Sequence, residues 1–157
     1  MIAVAVFLGL CAALAQGGPL AALGEGGAAV ALPAALAAGW AAVRGPREAI
    51  AIVFAAAAVL GVLSEARVGL YALALLPAVA AGMLAGIGVP TRRTRAARTA
   101  LAGCVGAAAY VGLLHLASGG LPGGPQLAWG FAASTLTAAM TCIALFPLRP
   151  HDRRLFA

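Results

Sequence analysis

The residues able to do chemistry are few: three cysteines, two histidines, four carboxylates and a short run of hydroxyls. Cys11, Cys104 and Cys142 each lie in an apolar run with no second Cys or His at ligand spacing. That pattern supports neither a zinc site nor a CxxC redox pair, and the three thiols read as small buried hydrophobes. His115 falls near the far end of the fifth apolar run and His151 in a basic tail. An intramembrane His is a functional candidate by default, but no acidic residue shares its helix, so an interhelical hydrogen bond is its commoner use. Glu25, Glu48, Glu65 and Asp152 all avoid the middle of an apolar run, where an intramembrane hydrolase or a proton-coupled pump needs an ionisable group. Ser134, Thr135 and Thr137 have no base at hydrogen-bond range along the chain and read as interhelical hydrogen bonders. The G-x-x-x-x-G-K-[ST], H-E-x-x-H and G-x-S-x-G signatures are missing, so the expectation is a protein without catalytic, cofactor-binding or metal-binding residues.

What must position these groups is set by composition. The chain has 157 residues, of which 64% are hydrophobic and 9% charged. A soluble domain carries about 25% charged residues, so this chain cannot cover itself with polar groups in water. The same figures exclude a disordered chain, and three Cys are too few for a disulfide scaffold. The apolarity comes from Ala rather than from aromatics, which make up 6%, and small residues let helices approach closely in lipid. Strands of a membrane barrel alternate apolar and polar residues, whereas the run from Ala49 to Leu63 is apolar on every face. The expected fold is an all-α integral membrane bundle in one domain.

A spanning helix needs about 20 apolar residues, and charges cut the chain into six such pieces, at about residues 1–20, 27–43, 49–63, 68–89, 99–117 and 126–148. The first piece has no basic n-region, which argues against a cleaved signal peptide. All ten basic residues are Arg. With both termini cytoplasmic, the inside segments hold Arg44, Arg47, Arg92, Arg93, Arg95, Arg98, Arg149, Arg153 and Arg154, leaving Arg67 alone outside. Basic residues gather on the cytoplasmic side of membranes, so the net charge of +6 reads as topology and as affinity for anionic lipid heads rather than for nucleic acid. Gly82 and Gly86 form G-x-x-x-G in the fourth span, and Ala102, Gly106, Ala108 and Gly112 repeat the small-residue spacing in the fifth. Such faces admit another helix, either from a partner or from the bundle itself. Glu65 and Arg67 flank a tight outer turn and make either a solvated ion pair or a docking corner.

The order of these features resembles that of the rod shape-determining MreD family. Leu14, Ala15 and Gln16 resemble the Leu-x-Gln that ends the family's first span; Pro33 followed by Trp40, Ala41 and Arg44 resembles its Pro, aromatic-Ala pair and polar turn. Gly61 with Glu65 is similar to its Gly-x-x-x-Asp, and Gly69, Ala72 and Leu73 to its Gly-x-x-Ala-Leu; the basic end at Arg149 to Arg154 suits its short cytoplasmic tail. The departures are Ala34 after the second-span Pro, Glu in place of Asp, and a short turn from Glu65 to Gly69. The resemblance implies a non-enzymatic scaffold of the bacterial cytoplasmic membrane that binds the bitopic protein MreC and couples the MreB filament to the peptidoglycan polymerase and transpeptidase. Candidate partner-binding residues are then Gln16, Pro33 and Gly69 through the resemblance, and Glu65, Arg67, Gly82 and Gly86 through their chemistry and spacing.

The competing expectation is a substrate-capture subunit of an energy-coupling factor vitamin transporter, also a small six-helix bundle. It would need a polar pocket near the outer surface, where this chain offers Glu25, Glu65, Arg67, His115, Gln126 and Trp129.

Overall fold

A computed structural model describes residues 1–24, 30–64, 67–88, 91–118 and 124–148. The described residues are helical, without strands. Six α-helices follow in order: α1 (Ile2–Ala15), α2 (Leu32–Arg44), α3 (Pro46–Leu63), α4 (Val68–Gly86), α5 (Arg92–Ser118) and α6 (Gly124–Leu145). Ala-rich sequence favours helix intrinsically, and in lipid the helix is the form that satisfies its own backbone. Five of the helical segments are long and apolar enough to cross a membrane: Ile2–Leu23, Pro46–Leu63, Val68–Gly86, Arg92–Ala117 and Gly124–Leu148.

The sixth helix is the exception. α2 has 13 residues, about 20 Å at 1.5 Å per residue, against a hydrocarbon core of about 30 Å. The expected second span began at residue 27, and residues 27–29 lie outside the described ones. Short as it is, α2 occupies the centre and packs against each of the other five helices. Pro33, Ala34, Ala35, Ala37, Ala38, Gly39, Trp40, Ala41, Ala42 and Val43 are all buried. Around it α1, α3, α4, α5 and α6 follow one another as successive neighbours. Large apolar side chains such as Phe7, Phe54, Leu84, Leu101, Leu116, Trp129 and Leu136 point outward, as lipid-facing positions require.

Other boundaries differ from expectation for local reasons. α1 gives way at Gln16 to a wide π-type turn, Gln16–Leu20, that carries Pro19, followed by a 3-10 turn over Ala21–Leu23. α3 starts at Pro46 rather than at Ala49. Proline is favoured in a first turn because its missing N–H has no partner there. Gly45, at φ +98°, reverses the chain between α2 and α3 with one residue, a backbone region that costs an L side chain strain. α5 starts at Arg92 rather than near Thr99, because arginine opposes hydrocarbon but not helix. Thr91 supports that start by accepting the Thr94 N–H on its hydroxyl at 3.3 Å.

Close approach rests on glycine. A Cβ at Gly86 would stand 2.6 Å from the Ala42 carbonyl oxygen, and one at Gly82 would meet Ala38 O still more closely. The G-x-x-x-G face of α4 is therefore spent on α2 inside the bundle and is not presented to a partner. Gly106 meets Ala78 of α4, and Gly103 meets Ala138 of α6, in the same way. These pairings also set direction: Gly82 lies by Ala38 and Gly86 by Ala42, so α4 runs parallel to α2. Gly9 lies by Ile52 and Gly17 by Leu63, so α1 runs parallel to α3. The alternation gathers Arg44, Arg47, Arg92, Arg93 and Arg95 at one end of the bundle, here called the basic end, and puts Arg67 at the opposite end.

Candidate functional site

Polar side chains collect at the two ends and differ in how they are satisfied. At the basic end the last turn of α2 and the first of α3 are tied together across Gly45. Arg44 pairs with Glu48, Nη2 to Oε1 at 2.9 Å and Nε to Oε2 at 3.2 Å. Trp40 donates its indole N–H to Glu48 Oε2 at 2.8 Å. Charged donors then reach the carbonyls left open at helix C-termini: Arg44 Nη1 donates to Leu148 O at 2.6 Å, Arg95 Nη1 to Ala42 O at 2.8 Å, and Arg92 Nη2 to Ile143 O at 3.0 Å. A cation there also meets the negative end of the helix dipole. The expected cytoplasmic basic surface is corrected in part: Arg47, Arg92, Arg93 and Arg98 are exposed, Arg44 is half-buried in its ion pair, and Arg95 is only 3% exposed. Arg149 lies outside the described residues. A cleft of about 300 Å³ opens at this end, lined by Ala42, Arg44, Gly86 and Arg95 among others.

Midway, Ser134 of α6 accepts the N–H of Ala31 at 3.1 Å and donates to Gly130 O at 2.8 Å, so it caps the start of the central helix. Thr135 and Thr137, expected to bond between helices, donate instead to Phe131 O and Ala133 O of their own helix, the local alternative open to hydroxyls.

At the opposite end Gln16, at the start of the wide turn, is 6% exposed and donates its side-chain N–H to the Tyr110 hydroxyl at 2.9 Å. Tyr110 packs against Tyr71 with ring centroids 6.5 Å apart. Gln16 Oε1 is buried with no hydrogen-bond partner among the described residues. The residue lines a cavity of about 240 Å³ together with Gly17, Leu60, Leu63, Ser64, Tyr71, Tyr110 and Leu114. Ser64 turns its hydroxyl back to Leu60 O at 2.6 Å, so it offers the cavity no donor. His115 Nδ1 and Gln126 Oε1 are also buried with no hydrogen-bond partner among the described residues.

The remaining expected site residues scatter. Pro33 is fully buried in the core, whereas Arg67 and Gly69 are exposed at the opposite end; Glu65 lies outside the described residues. Gly61 faces Val68, with room for no Cβ, and so closes the α3–α4 turn. Cys11 is exposed, Cys104 half-buried and Cys142 buried, all as free thiols. No group of three or more His, Cys, Asp or Glu that would hold a metal occurs among the described residues. Sequence reasoning missed Tyr71, Tyr110 and the Trp40–Glu48 bond. The available signal was polarity at depth: a Gln or Tyr inside an apolar run needs a partner.

Five apolar membrane-length helices around a buried sixth define the class, a multi-pass helical membrane protein. Compared with known proteins, the chain matches no family model, no curated protein and no solved structure.

Proposed function

We propose that this chain is a non-enzymatic membrane scaffold of the bacterial cell-elongation machinery, akin to MreD, which binds the bitopic protein MreC and couples MreB filaments to peptidoglycan synthesis. The observation that carries the reading is the position of the residues on which the resemblance rests. Gln16 locks α1 to α5 through Tyr110, Pro33 and Trp40 lie in the buried central helix, and Gly61 closes the α3–α4 turn. They are residues on which the bundle depends, which a family pattern in a scaffold would retain. In this reading the basic end is cytoplasmic and the partner's span packs on a lipid-facing surface of the outer helices, since Gly82 and Gly86 face α2.

One observation favours the second reading, a vitamin-capture subunit: the polar cavity beside Gln16. At about 240 Å³ it falls below the common range of ligand pockets, about 300–1,000 Å³, and no charged side chain is among its described lining residues. The scaffold reading therefore stands first. A tagged pull-down of the full chain from its native membrane, with mass spectrometry of proteins and small molecules, tests both. Co-purification of a bitopic protein with a large extracytoplasmic domain is expected; an ATPase module or a bound vitamin would overturn the scaffold reading in favour of the second.

A further inference from the structure

Two neighbouring hollows at the end opposite the arginines differ in polarity. The first is the cavity beside Gln16, whose polar lining consists of Gln16, Ser64, Tyr71 and Tyr110. The second is a groove of about 350 Å³ between α1 and α3, lined by Leu14, Ala58, Val59, Val62 and Leu63 without polar surface. Leu63 lines both. Leu14, Val62 and Leu63 are more than half exposed, so the groove opens sideways where hydrocarbon would lie.

We propose that these hollows form one lipid site, which takes an amphiphile whose head carries an O–H or N–H donor for Gln16 and whose chain lies in the groove between α1 and α3. The carbonyl of Gln16 is the reason. A buried acceptor without a partner is costly, far more so than an exposed one. Because a carbonyl oxygen only accepts, the occupant must donate. Because no described lining residue is cationic, a phosphate finds no charge-assisted partner in the cavity, and the recognised group is a neutral hydroxyl or an ammonium. The wide turn at Gln16–Leu20 supports the assignment independently, since such widened turns recur at functional sites. Gly17 sets the boundary: a Cβ there would stand 2.6 Å from Leu63 Cδ1, so the missing side chain lets Leu63 lie against α1 as the sill between head and tail. The site is independent of the scaffold reading.

The test uses the full chain in nanodiscs holding phosphatidylethanolamine, phosphatidylcholine and diacylglycerol with identical acyl chains. Native mass spectrometry after mild extraction counts the lipids retained. The ammonium of phosphatidylethanolamine and the hydroxyl of diacylglycerol donate, whereas choline does not. The expected result is retention of one or both donor lipids about tenfold over phosphatidylcholine, the ratio that one hydrogen bond to an otherwise unpaired acceptor sustains. Which of the two leads identifies the donor as N–H or O–H. Gln16→Met removes the acceptor at similar volume and should bring the three lipids to equal retention. Ala58→Trp, at an exposed position, should fill the groove and lower retention of the donor lipids about tenfold with the melting temperature unchanged. Equal retention of all three lipids by the wild-type chain, or wild-type retention by Ala58→Trp, would overturn the site. So would a water-soluble compound found in the cavity of protein taken from native membrane.

Discussion

The two ends of the bundle handle polar groups in opposite ways. At the basic end Arg44, Arg92 and Arg95 are drawn onto the carbonyls of Leu148, Ile143 and Ala42, and Glu48 binds both Arg44 and Trp40. At the other end one amide is half satisfied: its N–H meets Tyr110, its carbonyl has no partner among the described residues, and the residue lines a cavity. The lesson is that charge and unsatisfied polarity need not coincide in such a protein. Arg44 and Arg95 fasten the short central helix, whereas the opposite end, where Arg67 is exposed, keeps a buried acceptor without a partner among the described residues.

The largest expected effect tests what holds the centre. Gly82→Leu forces a side chain into Ala38 of α2 and should destabilise the bundle by about 3 kcal/mol, the upper range for overpacking, read as a shifted midpoint in a denaturing-detergent titration. A near-neutral result would mean that α2 and α4 are not in contact along this face. Next comes Glu48→Gln, which breaks the ion pair and weakens the Trp40 bond, both half-buried; about 1.5 kcal/mol is expected from charge-assisted hydrogen bonds partly exposed to solvent. Tyr110→Phe removes a single neutral bond and should cost about 1 kcal/mol in the same titration. If it cost more than Glu48→Gln, the basic end would not be the more tightly fastened one. The smallest effect belongs to Arg93→Ala: the side chain is exposed, so stability should move by less than about 0.5 kcal/mol. The chain's preference for anionic over zwitterionic lipid should fall by about 1 kcal/mol, as for one basic residue near such a surface, measured by native mass spectrometry of the chain in mixed nanodiscs.

Much of the architecture was legible. Helices, their approximate number and the gathering of arginines at one end all follow from runs of hydropathy and the charges that separate them. The candidate site was barely legible. Gln16 entered as the end of a span and through the family resemblance, and Tyr110 not at all, because the two are 94 residues apart and polarity at depth says that each needs a partner without saying which. Gly82 and Gly86 were visible as a packing face, but spacing along one helix is the same whether the second helix belongs to a partner or to the chain itself. Arg95 and Arg98 sit three residues apart in one basic run, yet Arg95 is buried and Arg98 exposed.

The sequence by itself determined that this chain is helical and suited to a membrane, since hydropathy and backbone satisfaction in lipid are properties of each segment taken alone. Only the tertiary structure decided that the shortest helix lies at the centre, that glycines of α4 face it, and that one glutamine carbonyl is left beside a cavity. Those outcomes depend on which faces meet, and lipid is as apolar as the side chains it competes with, so hydropathy does not rank one apolar face above another. Steric fit at glycine and a few hydrogen bonds across helices make that choice.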